Sequence, residues 1–324
     1  MKASQPDILA WLADSLGISP LEAPSFVVIS RRDDPSSTHW VVDKRSGDQT
    51  ERLFIKMHAS PTLFSQERSA LSVLSEYSSS EESFAVPRMR AFSVDLNCIA
   101  LDWIEGASVG GLIRSSVSRF ASSETVERGV VIAYKVGTWL QKLKERTIAP
   151  PSALPCDAMF ARFKELMQFI ETAFPRLLSR ESRLSLIQTF ERDLASAKPE
   201  ADCLVHNDFW FDHIWTRGSQ IVVIDFGRAH IGPAGRDAIQ FYCRLVDMSA
   251  LNPLVSKRAG DEVKESFVRG YGGLDLRASI NRVWQLWTRA EQLAGLVDFV
   301  RADYSVRYGI RMRALAHRLR RAAE

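Results

Sequence analysis

A short stretch in the second half of the chain carries histidine and aspartate side chains on both sides of a predicted hairpin. His206 ends the apolar run CLVH, Asp208 and His213 follow it, and Asp225 lies near the end of the run IVVIDF. The hairpin, which turns at Arg217–Gly218, brings Asp225 back toward the loop of Asp208 and His213. Paired carboxylates suit Mg²⁺ with nucleotide phosphates, because one can bind the metal while the other accepts a proton from a hydroxyl.

A lysine and a glutamate upstream can complete such a site. In the predicted strand RLFIKMH, a period of two places Phe54, Lys56 and His58 on one face. In the helix that follows, Glu67 falls near the middle of an apolar stripe, where a carboxylate is costly unless it is paired. A lysine held by such a glutamate is well placed to contact phosphate. A purely structural ion pair, or a Glu67 that faces water, remains the open alternative.

The elements that must position these residues fall into a β-rich part and a helical part. Strands are predicted at 26–30, 39–43, 52–58 and as two strands within 91–104, with helices at 8–16 and 61–77 and a serine-rich loop at 78–83. Helical periodicity follows at 124–146, 158–178, 181–196, 235–250, 261–270 and 279–319, interrupted by strands at 203–206, 213–216 and 221–226. We therefore predict an α+β protein with a small antiparallel sheet in residues 1–104 and a larger, mainly helical domain in residues 105–324.

Composition excludes several classes of protein. The 324 residues are 46% hydrophobic, which excludes dominant disorder, and 42 Lys and Arg against 39 Asp and Glu give a net charge of +3, too small to favour nucleic acid as the main partner. The scattered cysteines form no metal-binding or disulfide pattern, and no run reaches the ~18 apolar residues of a membrane span. We expect a cytoplasmic protein without a membrane span, and its oligomeric state is not predicted.

The order of these motifs resembles the aminoglycoside phosphotransferase and choline kinase-like small-molecule kinases, which share the protein-kinase-like two-lobe fold. Their catalytic loop has the pattern H-G-D-x-x-x-x-N, and residues 206–213 here are H-N-D-F-W-F-D-H. The resemblance extends from about residue 26 to residue 250. It implies that Asp208 is the catalytic base or orients the acceptor hydroxyl, and that Asp225 of the I-D-F-G sequence binds Mg²⁺.

The resemblance also implies how a nucleotide would be bound. Lys56 would contact the α- and β-phosphates of ATP or GTP, and Glu67 would hold Lys56 in place. Asp102, Trp103 and Ile104 would form the hinge, whose backbone hydrogen-bonds to the base. The lysine, the glutamate and the hinge therefore predict one nucleotide-binding site within the β-rich part of the chain.

The catalytic loop departs from the family pattern at its last position. His213 stands where the family has Asn, and an imidazole nitrogen suits Mg²⁺ less well than an amide oxygen. Asp212, the residue before it, is an alternative oxygen ligand. His206 and Asp237 are implied to support the site, Asp237 as the N-cap of the next helix.

The expected phosphate-binding loop is a second departure. Residues 31–39 are RRDDPSSTH, which contain no glycine. Backbone and hydroxyl donors of Ser36, Ser37 and Thr38 can still meet phosphate, whereas the two aspartates of the loop would repel it. The sequence thus predicts nucleotide binding by Ser36 to Thr38 against an unfavourable local charge.

The acceptor is expected to be a small hydroxylated molecule, such as a sugar, an amino alcohol, an aminoglycoside or a macrolide-like compound. Asp237 lies ten residues after Gly227, and so short a segment cannot hold a peptide substrate. Core packing explains the tryptophans of the predicted helix 282–304 more readily than acceptor binding does, and solvated charge explains its acidic residues equally well. The candidate acceptor-binding residues on one side of this helix are Trp284, Trp287, Glu291 and Asp298.

The sequence therefore predicts a phosphotransferase that moves the γ-phosphoryl group of ATP or GTP to a hydroxyl, with Mg²⁺ as cofactor. Its partners would be the nucleotide and the acceptor. A pseudokinase, which binds a nucleotide or a partner without phosphoryl transfer, is the alternative that His213 and the loop without glycine suggest. The presence of Lys56, Glu67, Asp208 and Asp225 favours the active enzyme.

Overall fold

The computed structural model divides into two compact units. The first, the sheet unit, comprises residues 1–108, 206–208 and 212–230, and the helical unit comprises the remainder. The predicted boundary at 104 stays a prediction. Described residues are 5–18, 26–46, 48–78, 84–251, 254–302 and 306–321, with the backbone alone at residues 5, 78, 249–251, 297–302 and 306–311. The serine-rich loop predicted at 78–83 lies, beyond Ser78, outside these ranges.

The strands and helices agree with the predicted order. The strands are β1 (Phe26–Asp34), β2 (Ser37–Ser46), β3 (Gln49–His58), β4 (Met89–Ser93), β5 (Cys98–Asp102), β6 (Ala107–Ser108), β7 (Asp202–Val205), β8 (Ile214–Arg217), β9 (Gln220–Val223) and β10 (His230–Pro233). The helices are α1 (Gln5–Ser15), α2 (Pro61–Ser78), α3 (Val109–Ser116), α4 (Ser123–Thr147), α5 (Cys156–Ala173), α6 (Arg180–Ala195), α7 (Arg236–Leu251), α8 (Lys257–Gly270), α9 (Ser279–Ala302) and α10 (Val306–Arg321). The predicted α+β class is confirmed.

The sheet unit is built on an antiparallel sheet with strand order β1-β2-β3-β5-β4. Alternation along the strands separates two faces. One face buries Trp40, Leu53 and Ile55 together with Ile8 and Leu12 of α1 in an apolar core. The opposite face carries the polar and charged side chains predicted to act, so burial of the apolar residues fixes which way those side chains point.

A smaller sheet of the same unit, with strand order β6-β8-β9, contains the predicted hairpin. Its turn includes Gly218 at φ +59°, a conformation that glycine adopts without strain. The last strand was predicted to reach residue 226 but ends at Val223. Asp225 has φ 67° and has therefore left the extended conformation, which places its carboxylate in a loop rather than in the strand.

The helical unit has its own apolar core. Helix α9 packs against α5, α6, α7 and α10, and its buried side chains include Trp284 and Leu293. The helix predicted at 279–319 is two helices, α9 and α10, while α3 and β10 were not predicted. No helix in the described part of the chain is long and apolar enough to cross a membrane.

Candidate active site

Lys56 and Glu67 form a buried ion pair inside the sheet unit. The Nζ atom of Lys56 lies 2.7 Å from Oε2 of Glu67, and the two residues are only 5% and 1% exposed. Strand β3 directs Lys56 away from the apolar core, and α2 presents Glu67 to it. Nε2 of His58, two residues along β3, lies 2.8 Å from the same glutamate oxygen. Glu67 therefore points inward, as its place in the apolar stripe predicted, and its carboxylate is paired.

Asp225 completes a group of three charges. Its Oδ1 lies 2.6 Å from Nζ of Lys56, so the lysine bridges Glu67 and Asp225. Burial by itself would lower the pKa of Lys56, but the two carboxylates outweigh it and raise that pKa. Burial likewise opposes ionisation of Glu67 and Asp225. The Lys56 charge outweighs burial and holds the pKa of each carboxyl group below the usual range for its residue type. One cation and two anions leave a net negative charge for an added cation to balance.

The loop that carries Asp208 is fixed by His206. Nε2 of His206 donates to the carbonyl oxygen of Ile224 at 2.8 Å, and its Nδ1 accepts from the N–H of Asp208 at 3.3 Å. Asn207 between them has φ 62°, where the related motif has glycine. Asparagine is one of the few residues with a side chain that tolerates this left-handed conformation, so the replacement preserves the turn.

His213 connects Asp208 to Asp225. Its Nδ1 lies 2.9 Å from the carbonyl oxygen of Asp208, which only accepts, so Nδ1 carries the hydrogen. Its Nε2 lies 3.5 Å from Oδ2 of Asp225. When the ring is neutral, the Nε2 lone pair therefore faces a carboxylate oxygen, and a cation bound beside both atoms would satisfy them. Asp212 is exposed in a short 3₁₀ helix, Phe211–His213.

The donor atoms at this position fit Mg²⁺ only together with a phosphate. Within the described residues, no three or more His, Cys, Asp or Glu side chains are grouped so that they could hold a metal ion alone. Mg²⁺ is usually bound by one or two carboxylates plus substrate phosphates and water rather than by a complete protein cage. Asp225, whose side chain is 42% exposed, offers such a carboxylate, and His213 offers a nitrogen that suits Mn²⁺ better.

A cavity of about 360 Å³ is lined by the three charged residues Lys56, Glu67 and Asp225, which we call the ion group, and by the predicted hinge. Asp102, Trp103 and Ile104 all line it. The N–H of Asp102 donates to the carbonyl of Arg88 at 3.0 Å, and the N–H of Trp103 donates to the carbonyl of Arg52 at 3.2 Å. Of the three predicted residues, Ile104 is therefore the one whose N–H we expect to meet a base.

Apart from the hinge residues Trp103 and Ile104, the apolar lining of the cavity was not predicted from the sequence. Its apolar lining residues are Val41, Phe54, Pro87, Leu101, Trp103, Ile104, Trp215 and Ile224. Flat apolar walls with a few polar groups are typical of ligand sites. The alternation of β3 already separated Phe54 from the core, but only the pairing of strands distant in sequence brings the other side chains to the same cavity.

Two of the three hydroxyl groups predicted to bind phosphate form hydrogen bonds inside the β1–β2 hairpin. Oγ of Ser37 lies 2.8 Å from Nε2 of His39, and Oγ1 of Thr38 donates to Asp33 at 2.8 Å. Ser36 is exposed at the turn. The side chains of this hairpin that line the cavity are Ser30, Arg32, His39 and Val41. The predicted roles of Ser36, Ser37 and Thr38 thus have no support from the cavity lining.

The remaining predicted residues lie in the helical unit. Asp237 is buried in the first turn of α7, one residue inside the helix rather than at the predicted N-cap, where a carboxylate still favours the positive end of the helix dipole. Trp284 is 3% exposed and belongs, with half-buried Trp287, to the apolar core. Glu291 is exposed, and the side chain of Asp298 is outside the described part.

Comparisons with known proteins identify the family and the fold of the chain. The family model described as "Phosphotransferase enzyme family" matches residues 37–285, about three quarters of the chain. No curated protein sequence matches significantly. Among solved structures, the chain is similar to a choline/ethanolamine kinase family protein from Mesorhizobium loti, with 13% identity, a TM-score of 0.59, and 97% of this chain and 94% of that chain covered.

Two further solved structures show the same fold. A glucosamine kinase in complex with glucosamine, ADP and inorganic phosphate has 15% identity, a TM-score of 0.59, and 94% and 83% coverage of the two chains. The APH(2'')-IIa aminoglycoside phosphotransferase in its streptomycin–ATP ternary complex has 16% identity, a TM-score of 0.53, and 95% and 96% coverage. The predicted family and protein-kinase-like fold are confirmed. The chain belongs to the phosphotransferase enzyme family.

Proposed function

We propose that this enzyme transfers the γ-phosphoryl group of ATP or GTP to a hydroxyl of a small molecule. The observation that carries the proposal is the contact of Lys56 with both Glu67 and Asp225 at the wall of a cavity lined by the predicted hinge. A lysine held by a glutamate and an aspartate at the metal position are the parts that must both be in place for phosphoryl transfer in kinase-like enzymes.

The proposed roles follow from these contacts. Lys56 would exchange its bond to Asp225 for a phosphate oxygen while Glu67 keeps it charged and oriented. Asp225 would hold Mg²⁺, which when bound neutralises charge on the phosphates. Asp208 would accept the proton of the acceptor hydroxyl, since its backbone is anchored by His206 and its side chain remains 31% exposed.

The acceptor is proposed by class only. Solved structures of similar proteins hold streptomycin, gentamicin or glucosamine, and an amino sugar or aminoglycoside is therefore a first choice to test. Of the candidate acceptor residues, Glu291 is exposed and carries the charge that attracts a cationic acceptor. Trp284 is buried in the apolar core. A cytoplasmic location is likewise a proposal, consistent with four free cysteines.

The pseudokinase alternative predicts nucleotide binding without turnover. His213 in place of Asn favours this alternative. The buried Lys56–Glu67 pair argues against it, because the desolvation of two buried charges costs free energy, and a catalytic role explains why such a pair is present. Turnover with any acceptor decides between the two.

ATP or GTP with Mg²⁺ should raise the melting temperature of the protein. A ligand that binds the folded state at a concentration of 100 times its Kd stabilises that state by about 2.7 kcal/mol. Differential scanning fluorimetry with each nucleotide, with and without Mg²⁺ or Mn²⁺, measures the shift, and adenosine alone serves as the control for base binding. No shift with any combination of nucleotide and metal would sink the proposal.

Replacing His213 with asparagine should raise activity with Mg²⁺ relative to activity with Mn²⁺. The amide oxygen is a harder ligand than the imidazole nitrogen that lies 3.5 Å from Asp225. The measurement is the ratio of initial rates in the two metals, for the wild type and His213→Asn. Identical ratios would place His213 outside the metal's coordination shell.

A further inference from the structure

Three basic side chains stand side by side across the sheet. Strand register places Arg32 of β1 opposite His39 of β2, and His39 opposite Lys56 of β3. All three line the same cavity. Neighbouring strands lie ~4.8 Å apart, so the backbone positions span about 10 Å from the ion group to the edge of the sheet. We call Arg32, His39 and Lys56 the basic row.

Two cations in one row, Arg32 and Lys56, are unfavourable unless anions balance them, while burial and the Lys56 charge lower the pKa of His39 between them. Glu67 and Asp225 balance the charge of Lys56, and the carboxylate of Asp34 contacts the other two members of the row. The guanidinium of Arg32 lies 3.0 Å from Oδ1 of Asp34, and Nδ1 of His39 lies 3.3 Å from Oδ2. The aspartates of this hairpin, which the sequence suggested would repel phosphate, are thus paired, Asp33 with Arg31 and Thr38.

The pairing of Arg32 with Asp34 is easily exchanged. The side chain of Arg32 is 78% exposed and that of Asp34 is 26% exposed, and an ion pair whose cation faces water contributes little to stability. A phosphate group offers the planar guanidinium two parallel charge-assisted hydrogen bonds, which a single carboxylate oxygen does not. A phosphate that reached the rim of the cavity could therefore displace Asp34 from Arg32 at small cost.

Among the hairpin side chains that line the cavity, Arg32 is the cation with an exposed side chain, whereas Ser30 offers only an uncharged hydroxyl. Only Pro35 and Ser36 separate β1 from β2, so the backbone does not form a loop that wraps a ligand. The hydroxyls of Ser37 and Thr38 bond to His39 and Asp33. Arg32 remains as the charged group of the hairpin with an exposed side chain at the cavity.

We propose, resting on the function proposed above, that Arg32 binds the terminal phosphate of the nucleotide, and that Asp34 is an internal counter-ion which this phosphate displaces. Lys56 then meets the inner phosphates at the buried end of the basic row. His39 is a positioning residue, since its ring is held between Ser37 and Asp34 and aligns that carboxylate. Side chains thus replace the backbone donors of a glycine-rich loop.

Arg31 provides a matched control. It is the neighbouring residue and carries the same charge, but it is not among the residues that line the cavity. Its guanidinium pairs with Asp33 at 3.2 Å and lies 5.7 Å from the ring centre of Trp40, a residue of the apolar core. Loss of Arg31 therefore removes one positive charge from the hairpin without changing the basic row.

The test is calorimetric titration of the wild type, Arg32→Ala, Arg32→Lys, Arg31→Ala and Asp34→Asn with ATP, ADP and adenosine, each with Mg²⁺. We expect Arg32→Ala to weaken ATP binding by about tenfold, ADP binding less, and adenosine binding not at all. Arg32→Lys should lie between wild type and Arg32→Ala, Arg31→Ala should match wild type, and Asp34→Asn should strengthen ATP binding.

Two results have distinct meanings. A wild type that binds none of the three ligands overturns the proposed function and this inference with it. A wild type that binds ATP, with Arg32→Ala keeping the same ratio of ATP to adenosine affinity, overturns the inference alone. Because Arg32 is exposed, Arg32→Ala should unfold at the wild-type temperature. If Arg31→Ala loses as much ATP affinity as Arg32→Ala, the loss reflects net charge alone and the inference is overturned.

Discussion

Replacing Asp208 with alanine should lower acceptor-dependent phosphoryl transfer by about 10²–10⁴-fold, the usual contribution of a positioned general base. The loss should fall on kcat, because Asp208 makes none of the contacts that hold Lys56 or the hinge. The measurement is nucleoside diphosphate release with an acceptor found by screening sugars, aminoglycosides and macrolides. The same variant should keep the nucleotide-induced rise in melting temperature.

Two further variants test whether the base is correctly identified. Asp208→Asn keeps the size and polarity of the side chain but not its proton affinity, so it should lose nearly as much activity as Asp208→Ala. Asp212→Ala removes the other carboxylate of the same loop, which is exposed. If Asp208→Ala retains turnover while Asp212→Ala loses it, the catalytic base has been misassigned.

The parts of the site that were predictable from sequence depend on local periodicity. The period of two in β3 put Lys56 on the face away from Leu53 and Ile55, and the 3.6-residue period of α2 put Glu67 inward. These two periods require no knowledge of distant contacts. The ion pair followed because a carboxylate in an apolar stripe needs a partner, and Lys56 lies within 2.7 Å of it.

The parts that were not predictable depend on pairing between strands. The basic row exists because Arg32, His39 and Lys56 share one register across β1, β2 and β3, and a shift of one residue would turn every second side chain to the other face. Nothing in the sequence of β1 alone distinguishes Arg31 from Arg32. The same limitation applies to the predicted hydroxyl donors, since the turn proved tighter than the composition of residues 31–39 suggested.

Replacing Lys56 with methionine should destabilise the protein by about 3–5 kcal/mol and abolish phosphoryl transfer. The substitution leaves Glu67, 1% exposed, as a buried charge without its lysine, and breaking a buried pair by removal of one partner has this cost. Replacing both partners, Lys56→Met with Glu67→Leu, should restore most of the stability, because an apolar pair of similar volume avoids the desolvation of both charges. Chemical denaturation measures the stability of each variant.

The double variant separates structural from catalytic roles. If the pair served stability alone, Lys56→Met/Glu67→Leu would be both folded and active; we expect it to be folded and inactive, because no cation remains at the buried end of the basic row. Lys44→Met is the matched control, since Lys44 lies 3.6 Å from Glu51 in a partly exposed pair, with side chains 24% and 38% exposed, and should change stability by no more than about 1 kcal/mol. An unchanged free energy of unfolding for Lys56→Met would contradict the burial of the pair, and activity in the double variant would contradict the assignment of Lys56 to the phosphates.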